Sequence, residues 1–162
     1  MMVRIAVYDD NKARRESLQA FMQLSPGLEF AGSFENCSHI LHDIETTNPQ
    51  MILMDIEMPE LDGIGGVRLV KKHYPHIKVI MQTAFDDDDK VFAAIQAGAE
   101  GYILKNASIL QIAQSIDEVM NGGASMSPSI ALKVMRHFGN WHTKEYNLTA
   151  KETETLKYLA QG

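Results

Sequence analysis

Cysteine occurs once in the 162 residues, as Cys37. A single thiol excludes an internal disulfide and any cysteine-cluster zinc site, and it suits a reducing compartment. Long apolar runs are missing as well: none approaches the roughly 20 residues that a helix needs to cross a bilayer. The first residues carry no charged stretch leading into an apolar one and a small-residue cleavage site. No membrane partner is therefore expected, and a cytoplasmic home is. Positive charge is scarce where it would matter for nucleic acid. Residues 1–120 hold 10 Lys+Arg against 18 Asp+Glu, a balance of −8, which cannot make the concentrated positive field that phosphate binding requires. Residues 121–162 hold 5 against 3, a mild +2. With 45% hydrophobic and 22% charged residues, the chain has the composition of a folded domain of ordinary size plus an appendage.

What is present begins with Met51-Ile52-Leu53-Met54, an apolar run of strand length that meets Asp55. Such a run suits a strand buried on both faces of a parallel sheet. A charge is rarely tolerated within it, so Asp55 belongs at the carboxyl end, where ligands bind in open α/β sheets. The pattern repeats along the chain. Strands are expected at Val3–Tyr8, Leu28–Gly32, Met51–Met54, Ile77–Gln82 and Tyr102–Leu104. Between and after them, apolar residues at helical spacing predict helices over Asn11–Leu24, Cys37–Thr47, Ile64–Tyr74, Asp86 to Ala97, and from Ser108 to Asn121. Five strand–helix alternations with short connections predict a doubly wound parallel sheet with helices on both faces.

Beyond Gly123 the character changes. Ser127-Pro128 predicts a further helix to Phe138, and Gly139 to Asn147, with the lone Trp141, reads as linker. Thr149 and Glu152 make a capping box for another helix, cut short at Gly162 with its apolar stripe unpartnered.

Four of the five strands end in a functional group: Asp9-Asp10, Asp55, Thr83 and Lys105. Singly, each has a plainer reading: helix cap, turn hydroxyl or solvated lysine. Together at one edge, three carboxylates repel one another unless a cation or a proton intervenes. An oxygen-rich site beside an ammonium is what Mg²⁺ plus a phosphoryl group requires. The opposite design, a loop of amides cradling a phosphate, is not supported, since Asp9-Asp10-Asn11 would repel the anion. His39 and His42 share a helix face without acidic or cysteine partners at ligand spacing and read as surface residues.

Tyr8-Asp9-Asp10, Met54-Asp55-Ile56-Glu57-Met58-Pro59-Glu60-Leu61-Asp62-Gly63, Met81-Gln82-Thr83-Ala84 and Gly98-Ala99-Glu100-Gly101-Tyr102-Ile103-Leu104-Lys105 resemble the motifs of bacterial response-regulator receiver domains. Leu148 to Gly162 resembles the start of a LuxR-type helix-turn-helix domain. The resemblance implies a receiver over 1–120 with a flavodoxin-like five-stranded sheet of order 2-1-3-4-5, a helix and linker over 121–147, and a truncated DNA-binding domain over 148–162. It implies that Asp55 takes a phosphoryl group from a sensor histidine kinase. Asp10 and Asp55 would then ligate Mg²⁺, Asp9 would assist, and the Glu57 backbone carbonyl would complete the set. Lys105 would offset the charge on the transferring group, and Thr83 and Tyr102 would form the switch. The protein would catalyse only its own phosphorylation and dephosphorylation, and homodimerisation through the last receiver face is plausible. DNA would be a partner of the full-length protein and not of residues 1–162, which lack the recognition helix. The family often has proline after its lysine; here Asn106 follows, leaving the cis or trans state of that peptide open. A phosphatase with an aspartyl-phosphate intermediate would need a D-x-D arrangement, and Asp55-Ile56-Glu57 has a glutamate instead.

Overall fold

A computed structural model describes residues 2–84 and 88–141, with side chains described to Arg136. The elements are β1 (Val3–Tyr8), α1 (Lys12–Leu24), β2 (Leu28–Phe34), α2 (Ile40–Thr47), β3 (Met51–Asp55), α3 (Gly63–His73), β4 (Lys78–Thr83), α4 (Asp88–Gln96), β5 (Gly101–Leu104), α5 (Ile109–Met120), β6 (Ser125–Met126) and α6 (Pro128–Trp141). All sheet pairings are parallel, in the order β2-β1-β3-β4-β5-β6. The expected order of the first five strands is observed. The expected count of five is corrected to six, because Ser125 and Met126 add a short edge strand beside Gly101 and Tyr102. Two residues carry no periodicity, which is why the sequence does not announce β6.

Strand alternation divides the core in two. Ala6, Tyr8, Ile52, Met54, Val79, Met81 and Tyr102 face α2, α3 and α4, joined by Ile40, Val67, Val91 and Ala94. Ile5, Val7, Met51, Leu53, Ile80 and Ile103 face α1 and α5, joined by Leu18, Met22, Ile112 and Ile116. Every residue of β3 is buried, as a central parallel strand requires.

Caps set where the helices begin. Asn11 accepts from the Arg14 amide, Asp62 accepts from the Gly65 amide, and Ser108 forms a capping box with Gln111. The helix expected from Cys37 starts three residues later, at Ile40, leaving Cys37 buried in the preceding turn against Met54. At the other end, α6 runs through Gly139–Trp141, so those three residues are helix and not linker. Ile130 of α6 is fully buried in the core cluster that contains Tyr102, Val91 and Ala94. The expected linker residues 142–147, the Thr149/Glu152 capping box and the helix-turn-helix start lie outside the described residues, as do Asp86 and Asp87.

Candidate phospho-acceptor site

At the carboxyl edge, β1 runs into Asp9 and Asp10, β3 and β4 end on Asp55 and Thr83, and β5 runs into Lys105. Alternation places Asp55, like Leu53, on the α1/α5 face, and Thr83, like Met81, on the α4 face. Asp9, Asp10 and Asp55 each bring a carboxylate oxygen within 4.8 Å of the others. The sequence expectation that these three share one place is met. Asp9 and Asp55 are 1% and 3% exposed, while Asp10 faces solvent.

Lys105 binds the two buried carboxylates together. Its Nζ donates to Asp55 Oδ2 at 2.6 Å and lies 2.9 Å from Asp9 Oδ2. The second contact is an ion pair by distance but not a hydrogen bond by direction, so Asp9 Oδ2 keeps an unused lone pair. Burial pushes the Asp55 carboxyl up from its ordinary value, against the hydrogen bond and charge of Lys105, and the neighbouring Asp9 pushes it further. Burial pushes Lys105 down, but its hydrogen bond to Asp55 and its ion pairing with Asp55 and Asp9 outweigh that and leave the ammonium raised. The loop is pinned from below: Arg15 Nη1 donates to the carbonyls of Asp9 at 2.7 Å and Asp10 at 3.1 Å, and the Asn11 amide donates to Asp9 Oδ1 at 2.9 Å.

The turn after β3 fits closely around the site. A Cβ on Gly63 would stand 1.9 Å from the Asp55 carbonyl oxygen, so only glycine permits this approach of α3. The Glu57 amide donates to Asp55 Oδ1 at 3.3 Å. The Glu57 side chain is not part of the carboxylate cluster; it turns outward to pair with Lys90 on α4. No peptide bond among the described residues is cis, which answers the question left at Lys105-Asn106.

Thr83 is 2% exposed, and its carbonyl accepts from the Lys105 amide at 2.7 Å, tying β4 to the β5 end. Tyr102 is 1% exposed and already turned into the core beside α4. His39 and His42 are exposed, as expected.

Sequence reasoning missed Arg14 and Gln82. Gln82 lies opposite Asp55 in the β3–β4 register and is 2% exposed, and its Oε1 accepts from Arg14 Nη2 at 3.1 Å. The available signal was a polar residue at an inward strand position next to Asp55. An oxygen-rich cluster with an unused buried lone pair suits a hard divalent cation, since such ions take carboxylate and carbonyl ligands.

A profile of the response regulator receiver domain matches residues 5–117. The transcriptional regulatory protein LiaR of Bacillus subtilis is 33% identical over 164 aligned positions, covering 99% of this chain and 78% of LiaR. The response regulator protein VraR of Staphylococcus aureus is 28% identical, covering 100% of this chain and 78% of VraR. Among solved structures, a LuxR-family two-component response regulator from Aurantimonas superposes with a TM-score of 0.78 at 23% identity, over 85% of this chain and 98% of that one, a likeness of fold.

Proposed function

The chain belongs to the response regulator receiver family, and from that premise we propose that Asp55 accepts a phosphoryl group from a phosphohistidine of a sensor histidine kinase. The observation that carries this reading is the convergence of Asp9, Asp10, Asp55 and the Lys105 ammonium on one small volume. In the transfer, an Asp55 carboxylate oxygen bonds to phosphorus and the phosphorus–nitrogen bond of the donor breaks. The bonding pair leaves with the imidazole, which takes a proton from solvent. The chain's share is positioning and charge placement. Lys105 shifts from Asp55 Oδ2 toward a phosphoryl oxygen, a role that suits a point charge. Mg²⁺ held by Asp10 and Asp55, with Asp9 assisting and the Glu57 carbonyl completing the set, supplies neutralisation of the negative charge that gathers there.

Phosphorylation adds about −1.5 to −2 charge units and three acceptor oxygens. Thr83 turns its hydroxyl to them, and the space it leaves favours the inward position of Tyr102. Tyr102 is 1% exposed and stands in that inward position beside α4. The surface of α4, β5 and α5 carries the signal onward. The similarity to LiaR and VraR and the resemblance of residues 148–162 support a transcription regulator whose LuxR-type domain binds DNA in the full-length protein. The test is incubation with a small-molecule phosphodonor and Mg²⁺, followed by intact mass. Gain of one phosphoryl group, lost with chelator and in Asp55→Asn, is expected. No gain, or an equal gain in Asp55→Asn, overturns the proposal.

A further inference from the structure

Arg14 and Gln82 belong to neither the carboxylate cluster nor the hydrophobic core, yet they bond to each other beside the register partner of Gln82, Asp55. Arg14 stands in the first turn of α1, half-buried, and reaches down to Gln82 Oε1 at 3.1 Å. The acceptor must be the carboxamide oxygen, because a guanidinium has only donors. The Gln82 amide nitrogen therefore faces elsewhere, buried and without a hydrogen bond among the described residues; Arg14 Nε is in the same condition. A buried donor left unbonded is costly, so two beside one another call for a reason. The sheet supplies one. Across the ladder Gln82 has Ile103 on one side, which can accept nothing, and Asp55 on the other. Gln82 is the register partner of Asp55, so the guanidinium it holds stands on the Asp55 side of the sheet edge; burial lowers that guanidinium, while the charges of Asp9 and Asp55 raise it.

Resting on the phospho-acceptor reading, we infer that Arg14, held in place by Gln82, is a positioning residue and a second fixed cation of the site, which weakens Mg²⁺ binding to the carboxylates and offsets the charge that arrives with the phosphoryl group. The acidic cluster thus meets Lys105 from the β5 side and Arg14 from the α1 side. A fixed positive charge on the Asp55 side of the cluster opposes a divalent cation there, because repulsion is little screened at a partly buried site. The same charge favours the phosphorylated state, which is more negative. Gln82 sets where the guanidinium sits, so its removal acts through Arg14 and not by itself.

The measurement is Mg²⁺ affinity by titration calorimetry on the unphosphorylated full chain, with melting temperature read in parallel. Arg14→Ala is expected to tighten Mg²⁺ binding by about fivefold or more. Arg14→Lys, which keeps the charge and loses the fork, should stay within about twofold of the parent, and Gln82→Leu should fall between them. A purely structural Arg14 would lower the melting temperature of Arg14→Ala and leave its Mg²⁺ affinity within twofold; that result overturns the inference. So does equal tightening in Arg14→Ala and Arg14→Lys, since it removes charge as the cause. Absence of Mg²⁺ binding by the parent, with Asp10→Asn no different, sinks the phospho-acceptor reading itself, and the inference falls with it.

Discussion

Replacing Lys105 by alanine leaves Asp9 and Asp55 buried at 1% and 3% exposure without the ammonium that lies 2.9 Å and 2.6 Å from them. Removing one partner of a buried ion pair typically costs about 3–5 kcal/mol, because the charge left behind is uncompensated. Lys105 is itself 21% exposed, so water enters the gap and the lower end, about 3 kcal/mol, is the appropriate figure. For a chain of this size that corresponds to a fall in melting temperature of about 6–12 °C. The pH dependence has a definite sign. Burial raises the Asp55 carboxyl and Lys105 is the chief influence holding it down. A carboxyl whose folded value exceeds its unfolded value gains a proton on folding, so stability rises as pH falls through that interval. Without Lys105 the interval extends upward, and the variant's deficit shrinks on acidification from neutral pH. Saturating Mg²⁺ restores stability by mass action, about 2.7 kcal/mol at a hundred times its dissociation constant. Thermal melts of parent and Lys105→Ala, with and without Mg²⁺, between neutral and mildly acid pH, read all three effects. A deficit below about 1 kcal/mol that is indifferent to pH and Mg²⁺ refutes the charge argument.

Asp55→Asn removes a carboxylate whose ionisation the fold disfavours. Its melting temperature in metal-free neutral buffer should exceed the parent's, and a decrease counts against the repulsive cluster. Gly63→Ala forces a Cβ to within 1.9 Å of the Asp55 carbonyl oxygen. A loss of more than about 3 kcal/mol by denaturant unfolding, with loss of phosphorylation, is expected. Ile130→Ala should cost about 2–4 kcal/mol, while Leu132→Ala, at 55% exposure, should stay within about 0.5 kcal/mol. Equal effects of the two would mean that α6 does not share the receiver core. Breaking the Glu57–Lys90 pair with Lys90→Ala should change stability by less than about 1 kcal/mol, since the Lys90 and Glu57 side chains are 40% and 51% exposed and water screens the pair.

The site was legible because its chemistry sits at strand ends. Runs such as Met51–Met54 and Tyr102–Leu104 mark strands by burial alone, and the polar residue that follows each marks the shared edge. The start of α5 at Ser108 was legible for a similar reason, a cap being a local hydrogen-bonding device that acts within one turn. What escaped depends on contacts between distant segments. Ser125 and Met126 form a strand only because β5 offers them an open edge. Arg14 and Gln82 are 68 positions apart, and only the register of β3 with β4 sets Gln82 beside Asp55. The outward turn of Glu57 likewise follows from Lys90 on α4, 33 positions away, which no spacing rule connects.

Reversible modification of one carboxylate among the three leaves a product that chemical trapping can locate. After incubation with a phosphodonor and Mg²⁺, borohydride reduction converts an aspartyl phosphate to homoserine, which peptide mass mapping then locates. Homoserine is expected at position 55, and none when Mg²⁺ is chelated. Homoserine at position 9 or 10, or none while the protein still gains a phosphoryl group, contradicts modification of Asp55.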